Sequence, residues 1–169
     1  GFHVVLLDYR CTFFSGCPAD GNTWDLPSDA AAGIAELHAE GAEKVIVVGA
    51  SAGGTLAVVA AAAAGPAVNG VVDLSGPADV SAMYDAPAET IDSVKAAAKI
   101  TVPSLFAISK NDDSTSVIEV QNVYSQVPDT DKLLLVLPAE DGHGWDIVHD
   151  DGSADSLWHT LLEFLQAHD

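Results

Sequence analysis

The chain reads as an α/β protein, a doubly wound and mostly parallel sheet with helices on both faces. Three observations predict this. Short apolar, β-branched runs alternate along the chain with longer helix-forming stretches. Most runs end in a cluster of turn formers, and Gly49-Ala50-Ser51-Ala52-Gly53-Gly54 joins one run directly to a helical stretch. The whole of 1–169 is expected to form a single domain, long enough to bury a core, with 49% hydrophobic residues to fill it.

Residues 2–9 read as a buried strand centred on Val4-Val5-Leu6-Leu7, followed by a turn-rich loop over 10–26. Ser28 or Asp29 caps a helix running to about Glu40, where Gly41 stops it. Lys44-Val45-Ile46-Val47-Val48 is the next strand, and the helix after the glycine-rich turn ends at Gly65-Pro66. Residues 68–74 form a strand ending in Ser75-Gly76-Pro77, and 78–100 hold short helical pieces, notably 89–99. A strand over 102–109, a helix over 114–127, a strand over 132–137 and a closing helix over 153–168 complete the series.

Six Lys+Arg against 25 Asp+Glu give a net charge of −19. The acids are dispersed, so they coat a folded surface rather than form a tail. Such a surface repels nucleic acid and anionic membranes. No apolar run is long enough to span a bilayer, and no basic leader-type segment opens the chain, which begins at Gly1. A soluble protein is expected, its compartment open; high-salt adaptation and ordinary compositional bias both account for the acidity. Cys11 and Cys17 lie six apart in a loop, readable as a small disulfide or as two loop thiols. No further ligand stands at zinc spacing, so neither a metal nor another cofactor is expected.

The six-residue turn carries the chemistry. A strand that turns at once into a helix around a central serine needs a sharp, strained backbone, with small residues two places either side. That turn lifts the Ser51 hydroxyl clear of the sheet. In open α/β sheets chemistry collects at the carboxyl ends of the strands. There stand Lys110-Asn111-Asp112-Asp113 after one downstream strand and Glu140-Asp141-Gly142-His143-Gly144-Trp145 after the last.

On these residues the chain resembles the α/β-hydrolase family, of the serine esterase and lipase type. The likeness covers Asp8-Tyr9-Arg10 after the first strand, Gly49 to Gly54, Asp112, and Gly142-His143-Gly144. The resemblance implies that Ser51 is the nucleophile, His143 the general base and acid, and Asp112 the partner that fixes the imidazole tautomer. The Ala52 N–H would be one oxyanion donor. Asp113 and Asp79 are the alternative acids and His149 the alternative base. Phe13, Phe14, Trp24, Met83, Tyr84 and Trp145 stand on loops where they would line a substrate pocket or pack on the sheet; Trp145, Tyr84, Met83 and Phe13 are the expected substrate contacts. The segment over 76–101, where relatives carry a cap, is short, which implies an open site.

The chain departs from the family at its start. The strand whose loop gives a second oxyanion N–H is missing, and it would lie between the 2–9 strand and the strand at 44–48. Either those two strands close up, another chain fills the gap, or the sequence is part of a longer protein, the last being the expectation. Removing one oxyanion donor costs about 10²–10³ in rate. The leading expectation is a serine hydrolase cleaving carboxylic esters through an acyl-enzyme, with a small ester or related acyl compound as substrate. Its rival is a catalytically weak hydrolase-like fragment that serves as a binding module. Nucleotide binding is disfavoured, because the turn lacks both a phosphate-loop Lys and the G-x-G-x-x-G spacing.

Overall fold

Four apolar runs pair into one parallel sheet. The computed structural model describes residues 1–12, 15–128, 131–138, 142–149 and 156–169. In it β1 (Ile46–Ala50), β2 (Gly70–Leu74), β3 (Ser104–Ser109) and β4 (Lys132–Leu137) lie in that order, every neighbouring pair parallel. Parallel neighbours require crossovers, which carry α2 (Ala52–Ala64), α3 (Ser93–Ala97) and α4 (Val117–Gln126) in turn. Helix α1 (Leu26–Ala39) precedes β1, and α5 (Leu157–His168) closes the chain.

The two-residue period of the strands sorts side chains between two cores. Val71, Phe106 and Ile108 face a layer built with Ile34, Ala57, Val58, Val120 and Val123. Val72, Leu74, Leu105 and Ala107 face the other side, against Ile147, Leu157 and Leu161. Burial on both faces is why β2 and β3 read as near-continuous apolar runs rather than alternating ones. Helix α2 lies against β1, β2, α1 and α3 together. Its alanines allow that close approach, and a helix apolar on nearly all sides is stable only when enclosed in this way.

Several boundaries differ from expectation for identifiable reasons. Residues 2–9 form no strand: the segment is unpaired, and Phe2, Val4, Val5, Leu6 and Leu7 are exposed. Strand propensity without a pairing neighbour does not make a strand. The strand before Ser51 is shifted to Ile46–Ala50, so it runs directly into the turn. Helix α1 starts earlier than Ser28, with Asp25 at the N-cap position and Pro27 in the first turn, where its missing N–H costs nothing. Asp29 instead takes Arg10, accepting from Nη2 at 2.6 Å, from Nε at 3.0 Å and from the Arg10 N–H at 2.9 Å. Within 89–99 only Ser93–Ala97 is helical, capped by Asp92, whose side chain accepts the Lys95 N–H. The expected start of the closing helix, Ser153, lies outside the described residues; the helix is capped by Ser156. Cys11 and Cys17 are joined in a disulfide, their Cα atoms 4.5 Å apart. Among the described residues no helix is long and apolar enough to cross a membrane.

Candidate active site

The carboxyl ends of β1, β2, β3 and β4 build the site. Ser51 stands between β1 and α2 with φ 54° and ψ −130°, a conformation that costs a non-glycine residue about 1–3 kcal/mol. The surroundings hold it there. Its N–H donates to the Leu74 carbonyl at the end of β2 (2.8 Å), and its own carbonyl accepts from Gly54 N–H (2.8 Å). A Cβ on Gly49 would run into the Gly53 carbonyl oxygen and stand 2.8 Å from Gly54 N. A Cβ on Gly54 would collide with the Asp73 carboxyl group and lie 3.1 Å from Gly76 Cα. Gly53 has open space where its Cβ would be. The second small residue the turn demands is therefore Gly54, three places after the serine, and not Gly53.

His143 reaches this turn from the loop after β4. Its Nε2 lies 2.8 Å from Ser51 Oγ and its Nδ1 2.8 Å from both carboxylate oxygens of Asp112. Gly144 follows at φ 59°, the left-handed conformation that favours glycine, where the loop passes Ser51. Asp112 follows β3, with its side chain fully buried. Burial pushes the Asp112 carboxyl up. The N–H groups of Thr115 and Ser114, both 2.9 Å from Oδ1, and the His143 ring outweigh burial and hold it below the ordinary aspartate range. An ionised carboxylate only accepts, so Nδ1 of His143 carries the proton and Nε2 is left to accept the Ser51 hydroxyl proton.

The end of β2 joins these two halves, a role that motif reading missed. Thr115, three residues beyond Asp112, donates from Oγ1 to the Ser75 carbonyl at 2.9 Å. Ser75 N–H donates to Ala107 on β3, while the preceding residue, Leu74, accepts from Ser51. The buried Ser75 hydroxyl also helps to lower the pKa of the Asp112 carboxyl. A visible signal was Asp73, an acid in the middle of the otherwise apolar run Gly70-Val71-Val72-Asp73-Leu74.

The other expected residues are placed as follows. Ala52 is the first residue of α2, so its N–H has no carbonyl one turn back and lies beside Ser51 at the positive end of the helix. Asp113 is exposed, and Asp79 accepts the Ser81 N–H at 2.8 Å. Neither approaches the imidazole as a hydrogen-bond partner. His149 is exposed, its Nδ1 3.4 Å from the Asp146 carbonyl. Phe13 and Phe14 lie outside the described residues. Tyr84 packs with Leu26, Leu56, Val80 and Ile91, Trp24 is half-buried, and Met83 is exposed. Trp145 is 58% exposed and lines a groove of about 680 Å³ with Phe2, Val4, Val48 and Leu165. Neither Ser51 nor His143 borders that groove.

The profile of the dienelactone hydrolase family matches residues 22–168. No curated protein sequence matches the chain. Among solved structures, the fold is similar to a dienelactone hydrolase of Anabaena variabilis (TM-score 0.63, 23% identity, 85% of this chain and 59% of that one). It is similar also to an esterase of Pyrococcus furiosus (TM-score 0.68, 18% identity, 95% of this chain and 69% of that one). A monoacylglycerol lipase of Paleococcus ferrophilus gives a TM-score of 0.65 at 14% identity, over 85% of this chain and 76% of that one. At these identities the likeness is one of fold.

Proposed function

The chain belongs to the dienelactone hydrolase family, a group of α/β-hydrolases that cleave esters, and from that footing we propose that it hydrolyses small carboxylic esters through an acyl-enzyme on Ser51. The observation that carries this reading is the unbroken line Ser51 Oγ–His143–Asp112, with 2.8 Å at each step. His143 Nε2 takes the hydroxyl proton as Oγ attacks the ester carbonyl, and the resulting imidazolium is stabilised by Asp112. The Ala52 N–H and the positive end of α2 face the oxyanion that forms. The protonated imidazole then gives its proton to the departing alcohol. In the second half, water attacks the acyl-enzyme with His143 again as base, releasing the acid and restoring Ser51. The short segment over 76–101, where a cap would stand, supports small or accessible esters as substrates.

The reading is tested by treating the folded chain with a fluorophosphonate and weighing it intact. One adduct is expected, absent from Ser51→Ala and His143→Ala. With p-nitrophenyl acetate, kcat should fall on the order of 10⁶-fold in Ser51→Ala and about 10⁴-fold in Asp112→Asn. No adduct on a folded parent would favour the rival role as a binding module.

A further inference from the structure

Asp73 is a buried acid that the proposed reaction does not use. It sits on β2 opposite Gly49 of β1 and Phe106 of β3, on the face that carries α2. Its side chain is fully buried. Oδ1 accepts the Gly76 N–H at 2.7 Å, closing the turn that reverses the chain after β2, where Ser75 adopts φ 58°. Oδ2 has no hydrogen-bond partner. The carboxyl fills the space that a Cβ on either Gly54 or Gly76 would need. It is thus wedged between the first turn of α2, which holds Ser51, and the turn after β2, which holds Asp112 through Ser75 and Thr115.

We propose that Asp73 is a positioning residue that, as a neutral carboxylic acid, locks the turn after β2 to the Ser51 elbow, and that its ionisation loosens Ser51 from His143. A carboxylate there would be a buried charge with one oxygen unsolvated and no cation to balance it, a costly arrangement. The residues facing it from β1, β3, α2 and the following turn are Gly49, Phe106, Gly54 and Gly76, none of them titratable. Burial alone pushes the Asp73 carboxyl up to about 7, opposed only by the Gly76 N–H. Because the folded value lies above that of the unfolded chain, the folded state binds more protons between about pH 4 and about pH 7. This group therefore lowers stability as pH rises through that window. The turn should yield by opening toward water, which moves Leu74 and Ser75 together with the residues they hold.

The inference rests on the acyl-enzyme reading for its effect on rate, so the test carries one readout that does not need activity. Asp73→Asn keeps an acceptor for Gly76 and cannot ionise; Asp73→Ala removes the bond and the filling. In the parent, the rate of fluorophosphonate labelling relative to that of Asp73→Asn at the same pH should fall roughly fifteenfold between about pH 7 and pH 8.5, tracking the protonated fraction of Asp73. In Asp73→Asn no such fall is expected over that range, and in Asp73→Ala the rate should be low throughout. Amide hydrogen exchange at Ser51, Gly54 and Gly76, corrected for intrinsic rates, should lose protection over the same alkaline range in the parent only. Identical exchange profiles in parent and Asp73→Asn would overturn the proposal whether or not the protein labels. Exchange that differs while labelling is absent would retain the locking role and reject the acyl-enzyme. If Asp73→Ala does not fold, the parent and Asn comparison still decides.

Discussion

The Ser51 end of the sheet and the strip from Phe2 to Leu7 are both built from residues that favour strands, yet they have opposite fates. Around Ser51 each backbone element is fixed more than once, by pairing, by the Leu74 and Gly54 hydrogen bonds, and by glycines against which neighbours press. Along Phe2 to Leu7 no strand forms, and the even-numbered side chains Val4 and Leu6 are 68% and 92% exposed. Contacts that form there are on the other side, where Leu7 reaches α1 at Gly33 and His3 Nε2 lies 3.4 Å from Glu40 Oε2. Between the strip and β1 lies the groove lined by both, and among the described residues β1 pairs only with β2. A partner on the hydrogen-bonding edge, not apolar composition, decides whether a run becomes a strand.

The sharpest way to probe the constrained end is a pair of single-methyl additions one residue apart. Gly54→Ala drives a Cβ into the Asp73 carboxyl and against Gly76, both buried, and should destabilise by about 3 kcal/mol or more while abolishing labelling of Ser51. Gly53→Ala meets nothing within 4 Å in the first turn of a helix, and should be neutral or stabilising by up to about 1 kcal/mol. Urea denaturation of both variants measures this. Equal losses would mean that the elbow is tight throughout and that Asp73 has no special part in it.

The loose end should answer oppositely to a more drastic change. Replacing Val4 and Leu6 together by lysine puts two charges where the chain already meets water. The urea midpoint should shift by no more than about 0.5 kcal/mol equivalent, while binding of a hydrophobic dye and light scattering at high concentration should drop. A large loss of stability would show that the strip is packed in solution and would erase the contrast.

The same contrast explains what the sequence disclosed. The order of strands and helices from residue 26 onward follows from apolar periodicity and turn chemistry, because both faces of β2 and β3 are covered and the pattern has a single solution. Ser51, His143 and Asp112 stand out because the proposed reaction would need those groups at strand ends, and the structure places them within hydrogen-bond distance of one another. Residues 2–9 misled because a strand is a relation between two segments, and sequence shows one segment at a time. Gly54 was legible as a doubled glycine but not its reason, which lies with Asp73, distant in sequence and adjacent in space. The contribution of Ser75 and Thr115 runs through a backbone carbonyl, which no side-chain motif can register.

The smallest expected effect tests the seam between the two regions, where α1 ends below the strip. His38, in the last turn of α1, lies 2.8 Å from the Ala42 carbonyl through Nδ1 and 2.8 Å from the Ala67 carbonyl through Nε2. Carbonyl oxygens only accept, so both nitrogens can be satisfied as donors only in the imidazolium. The Ala67 and then the Ala42 carbonyl raise its pKa above the ordinary histidine value of about 6.5, with slight opposition from desolvation. A folded value above the unfolded one means that the stabilisation is complete below about pH 6.5 and fades as pH rises through the raised value. Replacing His38 by Gln leaves one donor that does not titrate, so the fall in thermal midpoint between about pH 6 and pH 8.5 should be shallower than in the parent. Because the ring is exposed, the difference should be small and should shrink only weakly with salt, since two hydrogen bonds rather than a long-range charge are lost. An unchanged pH slope in the variant would mean that the imidazole does not clasp α1 to the Ala67 turn in solution. The strip's neighbouring helix would then be held by the packing of Leu26, Ile34 and Leu37 and by the Arg10–Asp29 pair.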